Sequence, residues 1–174
     1  MDIQAAVVKI LKDARPVLAS IALAIETART RNIPVIYVFL GFRKGFPEIS
    51  PDNKSFSQLK KGTMNLDTEE AVRIDPAVAP RPGDIIVNKK RVSAFVGSDL
   101  EVVLRASGIR HLVLTGIATS GVVLSTLRAA ADMDYVLTVL SDGCADADEE
   151  VHRVLTTKIY PRQAQVITVA EWGE

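Results

Sequence analysis

Reactive side chains are scarce in this chain of 174 residues. It has one cysteine, Cys144, and two histidines, His111 and His152. A single cysteine excludes an internal disulfide framework and makes a reducing cytoplasm the expected compartment. So few soft ligands argue against a zinc site, and no metal or other cofactor is expected. Net charge is lacking too: 21 Lys and Arg balance 21 Asp and Glu. That removes the electrostatic case for nucleic acid or an anionic membrane surface. No apolar run approaches the ~20 residues that a membrane span needs. The start, MDIQAAVVKILKDARP, lacks the basic-then-apolar order of a signal peptide. Glycine-rich phosphate loops, CxxC and HExxH are all missing.

What is present is an alternation. Continuous apolar runs rich in β-branched residues occur at Pro34–Leu40, Asp84–Asn88, His111–Gly116, Tyr135–Ser141 and Ala164–Val169. Runs of this kind suit strands covered on both faces, as in a parallel sheet. Helical patterns lie between them, at Val17–Asn32, Ser98–Ser107, Gly121–Asp134 and Asp148–Pro161. Ser98 is the expected N-cap of its helix and Gly108 the residue that ends it. Strand and helix in alternation predict one α/β domain over residues 1–174, with a mostly parallel sheet and right-handed crossovers. The helix after Asp2 calls for a strand before it, so the first strand reads as truncated at Met1, with natural residues expected upstream. The segment Gly41–Gly83 breaks the rhythm. Its Phe42, Phe46, Ile49 and Phe56 are expected to offer apolar surface to a second copy of the chain.

Ligands bind open α/β sheets at the carboxyl ends of the strands. Three places there can carry chemistry. Asp2 is a candidate acid or base, although a terminal aspartate is more often solvated. Lys89, directly after a buried run, can hold a carboxylate ionised or steady developing negative charge, unless Lys89, Lys90 and Arg91 form a solvated corner. The third is TGIATSGVVLST, residues 115–126, where a strand turns through small residues into a helix. Backbone N–H groups at such a start favour oxyanions. Ser120 and Ser125 lack an adjacent base, and capping or packing explains them better than nucleophilic attack.

Taken together, D-x-Q at residue 2, K-x-R-x-S-A-F at residue 89, G-x-x-T at residue 116 and a late S-D-G with E-V-H resemble the isochorismatase-like hydrolases. These include nicotinamidases and N-carbamoylsarcosine amidase. The resemblance implies a three-layer α/β/α sandwich with a doubly wound sheet. It implies an Asp–Lys–Cys site in which Asp2 and Lys89 fill two positions. The third, six residues after Gly116, is Val122, which has no nucleophilic atom. It also implies a cis peptide at Ile117–Ala118 and an oxyanion hole formed by the amides of Ala118 and Val122. The metal site of nicotinamidases has no counterpart, since no histidine precedes His111.

Two functions follow from a site without its cysteine. One is hydrolysis of a small molecule with Asp2 as acid and Lys89 tuning it. The resemblance supplies a precedent in isochorismatases, which protonate a vinyl ether and let water finish; Lys89, Arg43 or Arg91 would pair an acidic substrate. The other is a catalytically inactive member that binds a small molecule or serves as an oligomeric scaffold. Phe42, Phe46, Phe95, Thr119, Ser120 and Gly121 are the expected pocket residues. The family resemblance implies a homodimer or tetramer.

Overall fold

The computed structural model describes residues 1–62 and 64–174. Short helix α1 (Ala5–Val8) and long helix α2 (Arg15–Thr30) lead into strand β1 (Ile36–Leu40). Helices α3 (Lys54–Leu59) and α4 (Glu69–Val72) and a 3₁₀ turn (Pro76–Val78) precede strand β2 (Ile85–Lys89). Helix α5 (Leu100–Ala106), strand β3 (His111–Ile117), helix α6 (Leu124–Asp132) and strand β4 (Val136–Ala145) follow. Helix α7 (Glu149–Val154), strand β5 (Gln165–Ile167) and helix α8 (Val169–Gly173) complete the order.

All strand pairs are parallel: β1 with β2, and β3–β4–β5. The first residues of the chain join the two groups. Met1 N donates to Thr115 O at 2.9 Å and Ile117 N donates to Met1 O at 3.2 Å. Met1 therefore faces Gly116 in parallel register, while Asp2 N donates to Val38 O at 2.7 Å. Gly116 is required there, because a Cβ would lie 2.7 Å from the Met1 carbonyl oxygen. On the β1 side the Gln4 side chain imitates a strand. Its Nε2 donates to Leu40 O at 2.9 Å and its Oε1 accepts from Leu40 N at 2.8 Å.

The sheet is covered on both faces, as its apolar runs predict. Strand side chains alternate between faces. Val38 and Val87 pack with Leu100 and Leu104 of α5, and Leu114 and Val139 pack with Val123, Leu127 and Ala130 at the start and along α6. On the opposite face Val113, Leu140 and Ile167 meet Ala24 of α2 and Val169 and Trp172 of α8. This is the expected three-layer α/β/α arrangement. Two local expectations change. Asp99, not Ser98, is the N-cap of α5, while the Ser98 hydroxyl accepts from Leu100 N at 3.3 Å. The 41–83 segment is no bare loop offering apolar surface. Leu40, Phe42, Ile49, Phe56 and Leu66 bury one another, with Phe46 packed against them. A long segment with this many large apolar side chains lowers its own exposed area by folding into a small satellite core.

Candidate functional site

The carboxyl ends of β1, β2 and β3 bring the two predicted charged residues together. Asp2 sits just past the Met1 pairing with φ 59°, a left-handed conformation that turns its side chain out of the strand direction. Lys89 is the last residue of β2, and its side chain is 1% exposed. Lys89 Nζ lies 2.9 Å from Asp2 Oδ2 and donates to Arg91 O at 2.9 Å. The alternative of a solvated basic corner holds for neither Lys89 nor its neighbours. Lys90 Nζ donates to Gly41 O, and Arg91 donates to Glu48 O and stacks over the Phe56 ring.

The pair is asymmetric. Asp2 Oδ1 is buried and, among the described residues, accepts no hydrogen bond. Burial pushes the Asp2 pKa up, with the nearby Lys89 charge opposing. A carboxylate that keeps one oxygen without a donor is poorly stabilised as an anion and holds a proton more readily.

β3 ends in the second part of the arrangement. The Ile117–Ala118 peptide is cis. Thr119–Val123 then forms a π-helical turn, broken at Gly121 (φ −97°, ψ −105°), before α6 begins. Such turns recur at functional sites because they re-aim backbone groups. Val122 is buried in the cluster with Leu114, Leu127 and Cys144. Ser120 is occupied: its N–H and its hydroxyl both donate to Asp146 Oδ2 at 2.7 Å. That bonding ties the turn to the Asp146 carboxylate, which sequence reasoning did not bring to Ser120.

Sequence reasoning missed what holds this turn. Thr119, fully buried, shares a hydrogen bond of 2.8 Å with His152 Nδ1, and its carbonyl accepts from Tyr160 Oη at 2.6 Å. Burial lowers the His152 pKa and raises that of Tyr160, so both are neutral near neutral pH. The E-V-H motif is the only sign of His152 in the sequence, and nothing there signals Tyr160. Cys144 lies in β4, 4% exposed, with its thiol pushed up to about 12 by burial. A thiol so placed carries almost no thiolate at neutral pH.

The expected wall residues Phe42 and Phe95 pack against other rings, Phe42 under the Lys90 ammonium and Phe95 on the cluster that holds Val122. The Phe42 ring packs at 5.6 Å from Phe46 and 5.9 Å from Phe56. Phe95 packs between the α5 and α6 sides of the core, 6.1 Å from Tyr135. Arg43 pairs with Glu48 at 2.8 Å, so its charge is already met. Among the described residues, no three His, Cys, Asp or Glu side chains are grouped so as to hold a metal ion.

Residues 1–171 match the isochorismatase domain model. The chain belongs to the isochorismatase family. A ureidoacrylate amidohydrolase RutB from Stutzerimonas stutzeri is 37% identical over 148 residues, covering 78% of this chain and 60% of the relative. The chain thus spans about 60% of the length of that curated relative. An isochorismatase family protein from Burkholderia thailandensis superposes with a TM-score of 0.85 at 30% identity, covering 98% of this chain and 89% of that one. N-carbamoylsarcosine amidase from Thermoplasma acidophilum gives 0.74 at 25% identity, covering 90% and 84%. No helix among the described residues is long and apolar enough to cross a membrane.

Proposed function

We propose that this isochorismatase-family chain hydrolyses a small molecule without a covalent nucleophile, with Asp2 as general acid and Lys89 as its electrostatic partner. The observation that carries this reading is the free Asp2 Oδ1 beside an Oδ2 already paired with Lys89. The paired oxygen fixes the carboxyl group, and the free one is left to give a proton. In the proposed step Asp2 protonates the leaving nitrogen or enol-ether carbon of the substrate. Water adds to the electrophilic carbon, and a proton from that water restores Asp2. For the carbamoyl substrate, the Ala118 and Val122 amides and Lys89 are assigned to the negative charge that builds on the carbonyl oxygen as water adds; for the enol ether, the ionised Asp2 left after proton transfer faces the oxocarbenium carbon.

The names of the relatives direct the choice of substrate. Ureidoacrylate and N-carbamoylsarcosine are small acids carrying a carbamoyl nitrogen, and a vinyl ether tests the acid-only route. The test is hydrolysis of these three substrates by the parent and by Cys144→Ala. Activity that survives the substitution supports the reading. Activity abolished in a folded Cys144→Ala protein would overturn it.

A second reading is a binding protein that keeps the site without turnover. Buried Val122, standing where the resemblance implies a nucleophile, favours it. Calorimetry that shows saturable binding of one of these acids, with no product after prolonged incubation, would select this reading. Assembly into a dimer or tetramer is part of both proposals.

A further inference from the structure

The turn at residues 119–123 has little to stiffen it from within. Gly121 stands inside it at φ −97° and ψ −105°, outside the helical region, and glycine has the widest backbone freedom of any residue. The Ala118 carbonyl accepts from Gly121 N at 3.1 Å and Val123 N at 3.4 Å, but these bonds are local and move with the turn. Three bonds reach the turn from elsewhere in the chain. Asp146 accepts from Ser120 on the exposed side, where water competes for the same groups. Tyr160 Oη donates to Thr119 O at 2.6 Å in the interior. One interior bond leaves the turn free to pivot about it. The second, between Thr119 Oγ1 and His152 Nδ1 at 2.8 Å, removes that freedom.

The direction of that bond follows from burial. Thr119 is 0% exposed, and a buried hydroxyl needs an acceptor for its hydrogen. Among the described residues, His152 Nδ1 is the one partner of Thr119 Oγ1. The hydroxyl therefore donates and Nδ1 accepts. Burial keeps the ring neutral, so its single proton lies on Nε2. The backbone under the ring is fixed on both sides. Asp148 caps α7 by accepting from Glu150 N and Val151 N at 2.9 and 3.1 Å, and the His152 carbonyl accepts from Thr156 Oγ1 at 2.8 Å. We propose that His152 is a positioning residue: by accepting the Thr119 hydroxyl, Nδ1 holds the turn so that the Ala118 and Val122 amides keep one direction. The role depends on the proposed hydrolysis, in which those amides meet the carbonyl oxygen as negative charge builds there. His152 acts through Thr119 and touches no reacting atom. A group that aims oxyanion donors serves the transition state more than the bound substrate, so its loss falls on kcat.

Two substitutions separate this role from a structural one. His152→Asn carries an amide oxygen at the position of Nδ1, and His152→Gln carries one at the distance of Nε2. Helix propensity ranks Gln above Asn, so a role confined to holding α7 together favours the Gln variant. Positioning through Nδ1 favours the Asn variant. NMR of the ¹⁵N-labelled 174-residue chain and steady-state kinetics read the outcome. The expected parent has His152 as the Nε2–H tautomer. The Ala118 and Val122 amide peaks are expected to stay near the parent positions in His152→Asn and to shift in His152→Gln. kcat is expected to be about 10²-fold lower in His152→Gln than in His152→Asn, with KM alike. An Nδ1–H tautomer in the parent overturns the proposal. So do equal effects of the two variants, or a Gln variant that turns over as fast as the Asn variant. A parent without turnover defeats the hydrolysis reading by itself. The tautomer and the two amide peaks then still decide whether Nδ1 holds the turn.

Discussion

Asp2 and Asp13 stand eleven residues apart and each touches one basic side chain at nearly the same distance. Asp2 Oδ2 lies 2.9 Å from Lys89 Nζ, and Asp13 Oδ2 lies 2.8 Å from Arg15 Nη2. Their chemistry is opposite. Hydrogen bonds from the Arg15 side chain and backbone hold Asp13 down at about 2. Burial drives Asp2 up in spite of its lysine. Contact with a cation therefore does not define a carboxylate. What decides is whether water can solvate the anion and how many donors replace that water. Asp13 is solvated and fully bonded, and so is a permanent anion. Asp2 is dry and half bonded, and so is poised to trade a proton.

Removing the cation from each pair tests this contrast most sharply. Lys89→Ala leaves Asp2 buried without its partner, a loss that typically costs about 3–5 kcal/mol. Protonation of Asp2 relieves part of the cost, which places the expected loss near the lower figure. Urea denaturation at neutral pH measures it. Hydrolysis is expected to fall to background in the same variant. Lys89→Ala protein that turns over at the parent rate removes Asp2–Lys89 from the chemistry. Arg15→Ala, by contrast, is expected to leave turnover unchanged, as its pair lies on the solvated surface.

Asp2→Asn keeps the shape and removes the titration. On the proposed reading of Asp2 as general acid, such a group is worth about 10²–10⁴ in rate, and the variant is expected to lose that factor. The stability readout has a definite sign. Asp2 is raised in the folded state, so the folded protein holds the proton more tightly than the unfolded chain. The stability this contributes is fully present below the unfolded value of 3.8 and is lost as pH rises through the folded pKa. Asp2→Asn therefore gains stability relative to the parent as pH increases across that window. Urea midpoints taken from pH 4 upward check it. A difference that shrinks with rising pH would mean that Lys89 outweighs burial.

Much of this contrast is legible in the sequence. Continuous apolar runs identify the five strands of the described residues, because a strand buried on both faces leaves no room for polar alternation. The strand ends then place Asp2 and Lys89 on one edge. Burial is not legible: a terminal aspartate beside no other acid reads as solvated until Met1 is seen paired between β1 and β3. The 41–83 segment fails differently. Its phenylalanines are visible, but which surface they bury depends on loop paths that carry no period. The Thr119–His152–Tyr160 bonds are hidden for a related reason. They join residues 33 and 41 positions apart, and no local pattern encodes such a meeting.

The smallest expected effect is the mirror image at Asp13. Its folded pKa is depressed from 3.8 to about 2, so the stability it contributes is present above 3.8 and lost as pH falls through about 2. Asp13→Asn is therefore expected to be slightly less stable than the parent at neutral pH and to converge with it in acid. Turnover should not change, because Asp13 and Arg15 are bonded to each other on the exposed surface. The comparison of the two substitutions isolates the cause. Both remove one aspartate that touches one cation, and only the environment differs. Opposite pH slopes require opposite shifts in the folded state. Parallel slopes would mean that the cation governs both carboxylates. Asp2 would then be an ordinary anion, with no proton to donate at neutral pH.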